Sequence, residues 1–249
     1  MRILKAAVFP IVALAGGFLG GVVAGVSVPA RNSTKDVLDE INVKRINIVE
    51  DNGRFALVMA NSQNLPGGIR DGKQSGQRTG VPGIIFYNNL GDEIGGLIYP
   101  ARTMEEGYDG GVQLSMDQIK QTGQAVALRH WRSGDYVRSL LEITDYSTEK
   151  FAGDATEDPD LAAVLKMLQE ANEADQERIF REEYLPLLGE KGYLAHRVFL
   201  GSEGAAKRRA MLEIKDSRSR PRIRLIVDED DKPRIEILDE KGEVVSSMK

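Results

Sequence analysis

One turn recurs along this chain and limits what it can fold into. Apolar-rich strand residues lead into Asp, Asn or Glu. Two free positions follow, then Gly or another small turn residue, then a polar residue. The copies are Ile48-Val49-Glu50 with Gly53, Phe86-Tyr87-Asn88 with Gly91, and Ile237-Leu238-Asp239 with Gly242, with weaker ones at Asp145–Thr148, Asp216–Ser219 and Asp228–Asp231. An Asp or Asn at the first turn position bonds backbone N–H groups further on. Glycine at the fourth takes positive φ and forms the bulge that follows a type I turn. Asn52-Gly53 also suits a two-residue type I′ turn, which would shift the register by one residue, and both readings stay open.

Strand patterns flank these turns. Ile46/Ile48 and Phe55/Leu57/Met59 alternate with Asn47 and Arg54; Ile84–Tyr87 pairs with Leu97–Tyr99; Ala125–Trp131 pairs with Tyr136–Ile143 around Ser133-Gly134-Asp135. The C-terminus reads as a meander of Arg209–Ile214, Arg222–Val227, Arg234–Leu238 and Glu243–Ser246. This spacing, with roughly a dozen short strands, predicts a mainly β chain of antiparallel hairpin and meander repeats. A barrel- or sandwich-like domain is expected, with a propeller-like arrangement as the alternative. One stretch, about 157–188, has helical spacing instead. Asp158-Pro159-Asp160 offers a cap and an N1 proline; Leu161, Leu165 and Leu168 follow on one face; Pro186 and Gly189 mark the end. It predicts a helical insertion between Ile143 and the strand at Arg197–Leu200, packed on the sheet or covering a barrel end.

At the N-terminus, Ala6 to Ala30 is 25 residues without a charge, more than the roughly 20 a helix needs to span a bilayer. Residues 1–30 read as a transmembrane anchor, or as a signal segment cleaved near Val28-Pro29-Ala30. Residues 31–40 read as a juxtamembrane linker, and 41–249 as an extracytoplasmic β-rich domain. The expectation is a single-pass membrane protein, or a secreted one if the signal is removed. Gly17, Gly21 and Gly25 recur every four residues, the spacing that lets two membrane helices approach, and so offer a face for a homodimer.

Composition narrows the chemistry. The chain has no cysteine and two histidines, which excludes disulfides, thiol catalysis and a Cys- or His-rich metal centre. No metal or cofactor is expected. Residues 1–30 contribute two of the 33 basic residues and none of the 38 acidic ones, so the rest of the chain carries −7. That balance argues against a nucleic-acid partner.

The runs Arg45-Ile46-Asn47-Ile48-Val49-Glu50 with Asn52-Gly53, and Gly91-Asp92-Glu93-Ile94-Gly95-Gly96-Leu97, together with Arg197–Gly201, Pro221–Leu225 and Ile237-Leu238-Asp239, resemble a family of uncharacterised bacterial exported or membrane-anchored β-rich proteins. The resemblance spans about 41–145 and 195–247; the helical stretch departs from it. It implies an envelope location and a consistent fold, and no activity.

Several constellations remain. Gly67-x-x-x-x-Gly72-Lys73 approaches a phosphate-binding loop, yet Gln74 stands where Ser or Thr should meet magnesium and no helix follows, so a long hairpin loop is expected. Asp92-Glu93 is a pair of carboxylates, but neighbours on a strand point to opposite faces. His130 and Trp131, with cations nearby, suggest a glycan or peptide platform, or a hairpin packed around a buried Trp. Arg222 and Arg224 share a strand face, expected outward, where they meet an anionic surface or pair with Glu213 and Glu236. Asp228–Asp231 lacks the glycine and distal Glu of a calcium loop and reads as a polar turn. Binding or scaffolding at the envelope, with an unidentified envelope partner or glycan, is expected ahead of catalysis. The alternative is an envelope carbohydrate-active hydrolase using paired carboxylates, motivated by Asp92, Glu93, Asp117 and Trp131.

Overall fold

The computed structural model describes residues 38–105, 107–120, 123–150 and 156–248. The expected anchor, its Gly17/Gly21/Gly25 face and most of the linker lie outside the described residues. Among the described residues no helix is long and apolar enough to cross a membrane. Val43–Lys249 forms one compact unit.

Fifteen strands are present among the described residues: β1 (Arg45–Val49), β2 (Phe55–Ala60), β3 (Pro66–Arg70), β4 (Lys73–Gln77), β5 (Gly83–Tyr87), β6 (Glu93–Ile98), β7 (Ala101–Thr103), β8 (Tyr108–Asp117), β9 (Gln124–Ser133), β10 (Tyr136–Tyr146), β11 (Leu194–Gly204), β12 (Arg208–Lys215), β13 (Pro221–Val227), β14 (Pro233–Leu238) and β15 (Val244–Met248). Thirteen form a single antiparallel sheet in the order β1-β2-β5-β6-β8-β9-β10-β11-β12-β13-β14-β15, with β7 paired to β8; β3 and β4 make a separate hairpin. The meander is as expected, but the sheet does not close. β1 pairs only with β2, and β15 only with β14, so the barrel is corrected to an open sheet. One continuous strand path also replaces the two facing sheets of a sandwich and the blades of a propeller.

The recurrent turn is a type I turn with a bulge. In five copies the first residue accepts from the fourth: Gly53 to Glu50, Gly91 to Asn88, Ser219 to Asp216, Asp231 to Asp228 and Gly242 to Asp239, at 2.8–3.2 Å. The fourth residue takes positive φ in each, from 59° at Asp231 to 87° at Gly91. Asn52 is not among the positive-φ residues, which settles the first hairpin against type I′. Where the first residue is Asn or Asp, its Oδ1 accepts two more backbone N–H groups, as at Asp216 from Arg218 and Arg220. The Asp145 copy is no turn: β10 continues through it, and Ser147 N donates to Tyr193 O where the helical insertion starts and returns.

The two faces of the sheet differ in kind. Across the first six strands of the path, Ile46, Met59, Ile84, Leu97, Leu114 and Leu128 stand directly opposite one another. Leu141, Leu200, Leu212, Leu225, Ile235 and Met248 continue the row to the far edge. A second row two residues away runs from Ile48 through Met116 and Ile143 to Ile237 and contains no charged residue. Both rows face outward: Met116 is 59% exposed, Leu128 56% and Leu200 50%.

The opposite parity is mostly polar from β8 onward and is covered by the chain's own inserts. The β3–β4 hairpin roofs a core of Val58, Ala60, Leu65, Ile85 and Tyr87. The helical insertion, α1 (Pro159–Glu170), α2 (Glu173–Ile179) and α3 (Leu185–Glu190), buries Leu161 and Leu188 with Leu194. Asp158 caps α1 by accepting from Asp160 N and Leu161 N, with Pro159 behind it, as a cap should. Pro186 does not end the helix. It lies in the first turn of α3, after a π turn at Phe180–Tyr184, where a residue without an N–H is tolerated.

Candidate functional site

A cleft of about 540 Å³ lies between the β3–β4 hairpin and strands β5, β6 and β8. The near-match to a phosphate-binding loop is this roof: Asp71 (φ 47°) and Gly72 (φ 69°) make a two-residue turn, and β4 follows instead of a helix, so no helix N-terminus faces a ligand there.

The floor is built by the Gly-Asp-Glu-Ile-Gly-Gly-Leu run. A bulge sets Tyr87 opposite Glu93, and bulges re-aim the side chains around them. Asp92 and Glu93 therefore both line the cleft, contrary to the alternation expected of strand neighbours. Asp92 is buried and occupied: its Oδ1 accepts from Asp71 N at 2.7 Å, which ties the floor to the tip of the roof. Glu93 Oε1 pairs with Arg78 Nη2 at 2.6 Å, and Arg78 Nη1 donates to Pro66 O at 2.8 Å. The glycines set the spacing of the floor. A Cβ on Gly96 would stand 2.6 Å from Ile84 O, and one on Gly95 (φ 141°) would strike Ser115 O.

Two acceptors are left over. Glu93 Oε2 and Asp117 Oδ1 are buried and have no hydrogen-bond partner among the described residues; the same holds for the Tyr87 hydroxyl. Burial raises the Asp117 pKa, and the nearby Glu93 charge raises it further, although the Ser115 hydroxyl donates to it. Burial, then Glu93, pushes Tyr87 up to about 12. Arg70, Lys73 and Lys120 also line the cleft. Buried acceptors beside cations suit a ligand with several hydroxyl donors.

A second cleft of about 600 Å³ lies beneath the helical insertion. Alternating charges line the sheet there. Arg129 pairs with Glu142, Arg138 with Glu203 at 3.1 Å, Arg209 with Glu203 at 2.6 Å, and Arg224 with Glu213 at 2.6 Å. Arg234 continues the ladder to Glu236 at 2.8 Å. His196 sits among these groups. Its Nδ1 lies 3.1 Å from Thr144 Oγ1, its Nε2 has no partner among the described residues, and burial, then Lys215, lowers its pKa.

The remaining candidates separate. His130 is on the apolar face, with Nδ1 2.8 Å from Ser139 Oγ. Trp131 is on the polar face, donating to Asp109 Oδ1 at 3.0 Å and lining a third pocket with Tyr136 and Arg138. The two do not form one platform, because adjacent strand residues point apart. Trp131 does not line the Asp92/Glu93 cleft. Arg222 and Arg224 share the polar face, not an outer one. Arg224 joins the ladder, while Arg222 donates to Leu238 O at 3.1 Å and lies 3.6 Å from Asp216. Asp228 uses its oxygens on Asp230 N, Lys232 N and Arg234. Among the described residues no three His, Cys, Asp or Glu side chains are grouped to hold a metal ion.

Arg78 and Ser115 line the first cleft without having stood out in the sequence. Only Ser115 carried a signal, being two residues from Asp117 and so on the same strand face. Compared with protein-family models, curated proteins and solved structures, the chain finds no match.

Proposed function

We propose that the chain is a non-catalytic binding protein held at the cell envelope by residues 6–30, and that the cleft under the β3–β4 hairpin takes a hydroxyl-rich ligand such as an envelope glycan. The uncharged N-terminal run supports the location. The observation that carries the binding reading is the pair of unfilled carboxylate oxygens, Glu93 Oε2 and Asp117 Oδ1, in one cleft. Native proteins rarely leave buried acceptors unmet, and sugar hydroxyls supply the missing donors.

Titration of the full chain with a panel of neutral oligosaccharides, followed by calorimetry, should give saturable binding. Glu93→Gln and Asp117→Asn should each weaken it about tenfold, the worth of roughly one hydrogen bond to a charged group. Asp117→Asn should also raise the melting temperature at neutral pH. A carboxyl whose folded pKa is raised costs stability as the pH rises above its unfolded value, and the amide removes the cost. Absence of binding across the panel would sink the reading. The location is checked by proteolysis of spheroplasts, which should reach residues 38–249 from outside.

A carbohydrate-active hydrolase is the second reading. Asp117, pushed towards its protonated form, and Glu93, held by Arg78, are two carboxyls in contrasting environments. Binding is favoured because it needs only the two unmet acceptors, whereas hydrolysis also needs two carboxyls set across a scissile bond. Release of a chromophore from aryl glycosides, abolished by Asp117→Asn, would reverse that order.

A further inference from the structure

The outward face of the sheet carries two largely aliphatic rows side by side, and both inserts of the chain lie on the other face. We propose that two copies of the chain pack these rows against each other around a two-fold axis near β9–β11.

The size fits. Twelve strands about 4.8 Å apart span about 55 Å, and two rows about 7 Å apart with their side-chain margins make a band about 14 Å high. The product, roughly 800 Å², is what each partner contributes to a standard stable interface. It exceeds the apolar patch a monomer usually exposes, roughly 300–600 Å².

The chemistry selects the partner. A face that rests on a bilayer carries Lys or Arg to meet headgroups, whereas these rows carry no charge. Strands that wall a membrane need an apolar band about 25 Å tall, far more than two rows supply. A row of Ile, Leu and Met is its own complement under a two-fold rotation, and a second sheet fits over it at the usual spacing of about 10 Å. Beside the central strands, Ser139, Ser202 and Ala210 stand opposite one another, small enough not to hold a facing sheet away. This interface is separate from any contact through Gly17, Gly21 and Gly25.

The absence of native cysteine makes the test direct. Single cysteines are placed in the full-length chain in its membrane at Leu128→Cys, Leu200→Cys and, as a control on the exposed side of α1, Lys166→Cys. Each is treated with a bis-maleimide able to bridge about 10 Å, the spacing of packed sheets. The expected result is a covalent dimer from Leu128→Cys and Leu200→Cys and none from Lys166→Cys. Adding Leu200→Glu to Leu128→Cys should cut its yield at least tenfold with unchanged far-ultraviolet circular dichroism. Adding Gly17→Leu and Gly21→Leu should leave it intact. Free labelling of both row cysteines by a monofunctional maleimide, without dimer, would mean an open face and overturn the proposal. Protection of both without dimer would overturn it in favour of lipid or residues 6–30 as the cover.

Discussion

His196 is a titratable ring that the fold keeps neutral. Burial and Lys215 lower its pKa from 6.5, so the unfolded chain takes up a proton at a higher pH than the folded one. The stability His196 contributes is therefore complete above pH about 6.5 and is lost as pH falls through that value towards the lower folded pKa. The melting temperature should drop between pH 7.5 and 5.5, and His196→Gln should flatten the drop. Asp117, whose pKa is raised by burial, acts with the opposite sign. Nothing adjacent to His196 in sequence announces this, since Thr144 and Lys215 come from other strands. Asp92 and Glu93 were visible as a pair, but their convergence depends on a bulge at Tyr87, which alternation alone does not foresee.

At the scale of the element, the turns were the most legible part of the chain, because a turn is fixed by four or five consecutive residues. Asp216 illustrates the cost of losing one. Burial alone would raise its pKa, yet the N–H groups of Arg218 and Arg220 and the Arg220 side chain hold it below the usual value. Asp216→Ala should lose about 1–2 kcal/mol, a drop in melting temperature of roughly 2–8 °C, while Asp216→Asn, which keeps the acceptor, should lose little. The copy at Asp145 misled for a non-local reason: the chain there is carried into the helical insertion, whose return strand supplies the pairing. Pro186 misled because a proline in the first turn of a helix and one that stops a helix look alike until the backbone before it is known.

Across the whole molecule, alternation divided each strand into two faces but did not say which would be covered. The expectation put the arginines outward and the aliphatics inward. The structure reverses this from β8 onward, because the β3–β4 hairpin and the helical insertion come down on the charged side. The charges survive there by alternating in sign. Glu213 is 7% exposed and holds both Arg224 and Lys215. Glu213→Leu should lower unfolding stability in urea by about 3 kcal/mol, because it strands two cations, and Arg224→Leu added to it should restore part of the loss.

The strand order has a consequence for how the chain reaches its fold. Every strand on the sheet path pairs with a neighbour in sequence, interrupted only where an insert or the short β7 intervenes. Strand pairing therefore joins mostly chain neighbours, so folding can spread hairpin by hairpin from either side of an early pair. The longest loop on that path is the one that carries the helical insertion between β10 and β11, so their pairing costs the most chain entropy to close.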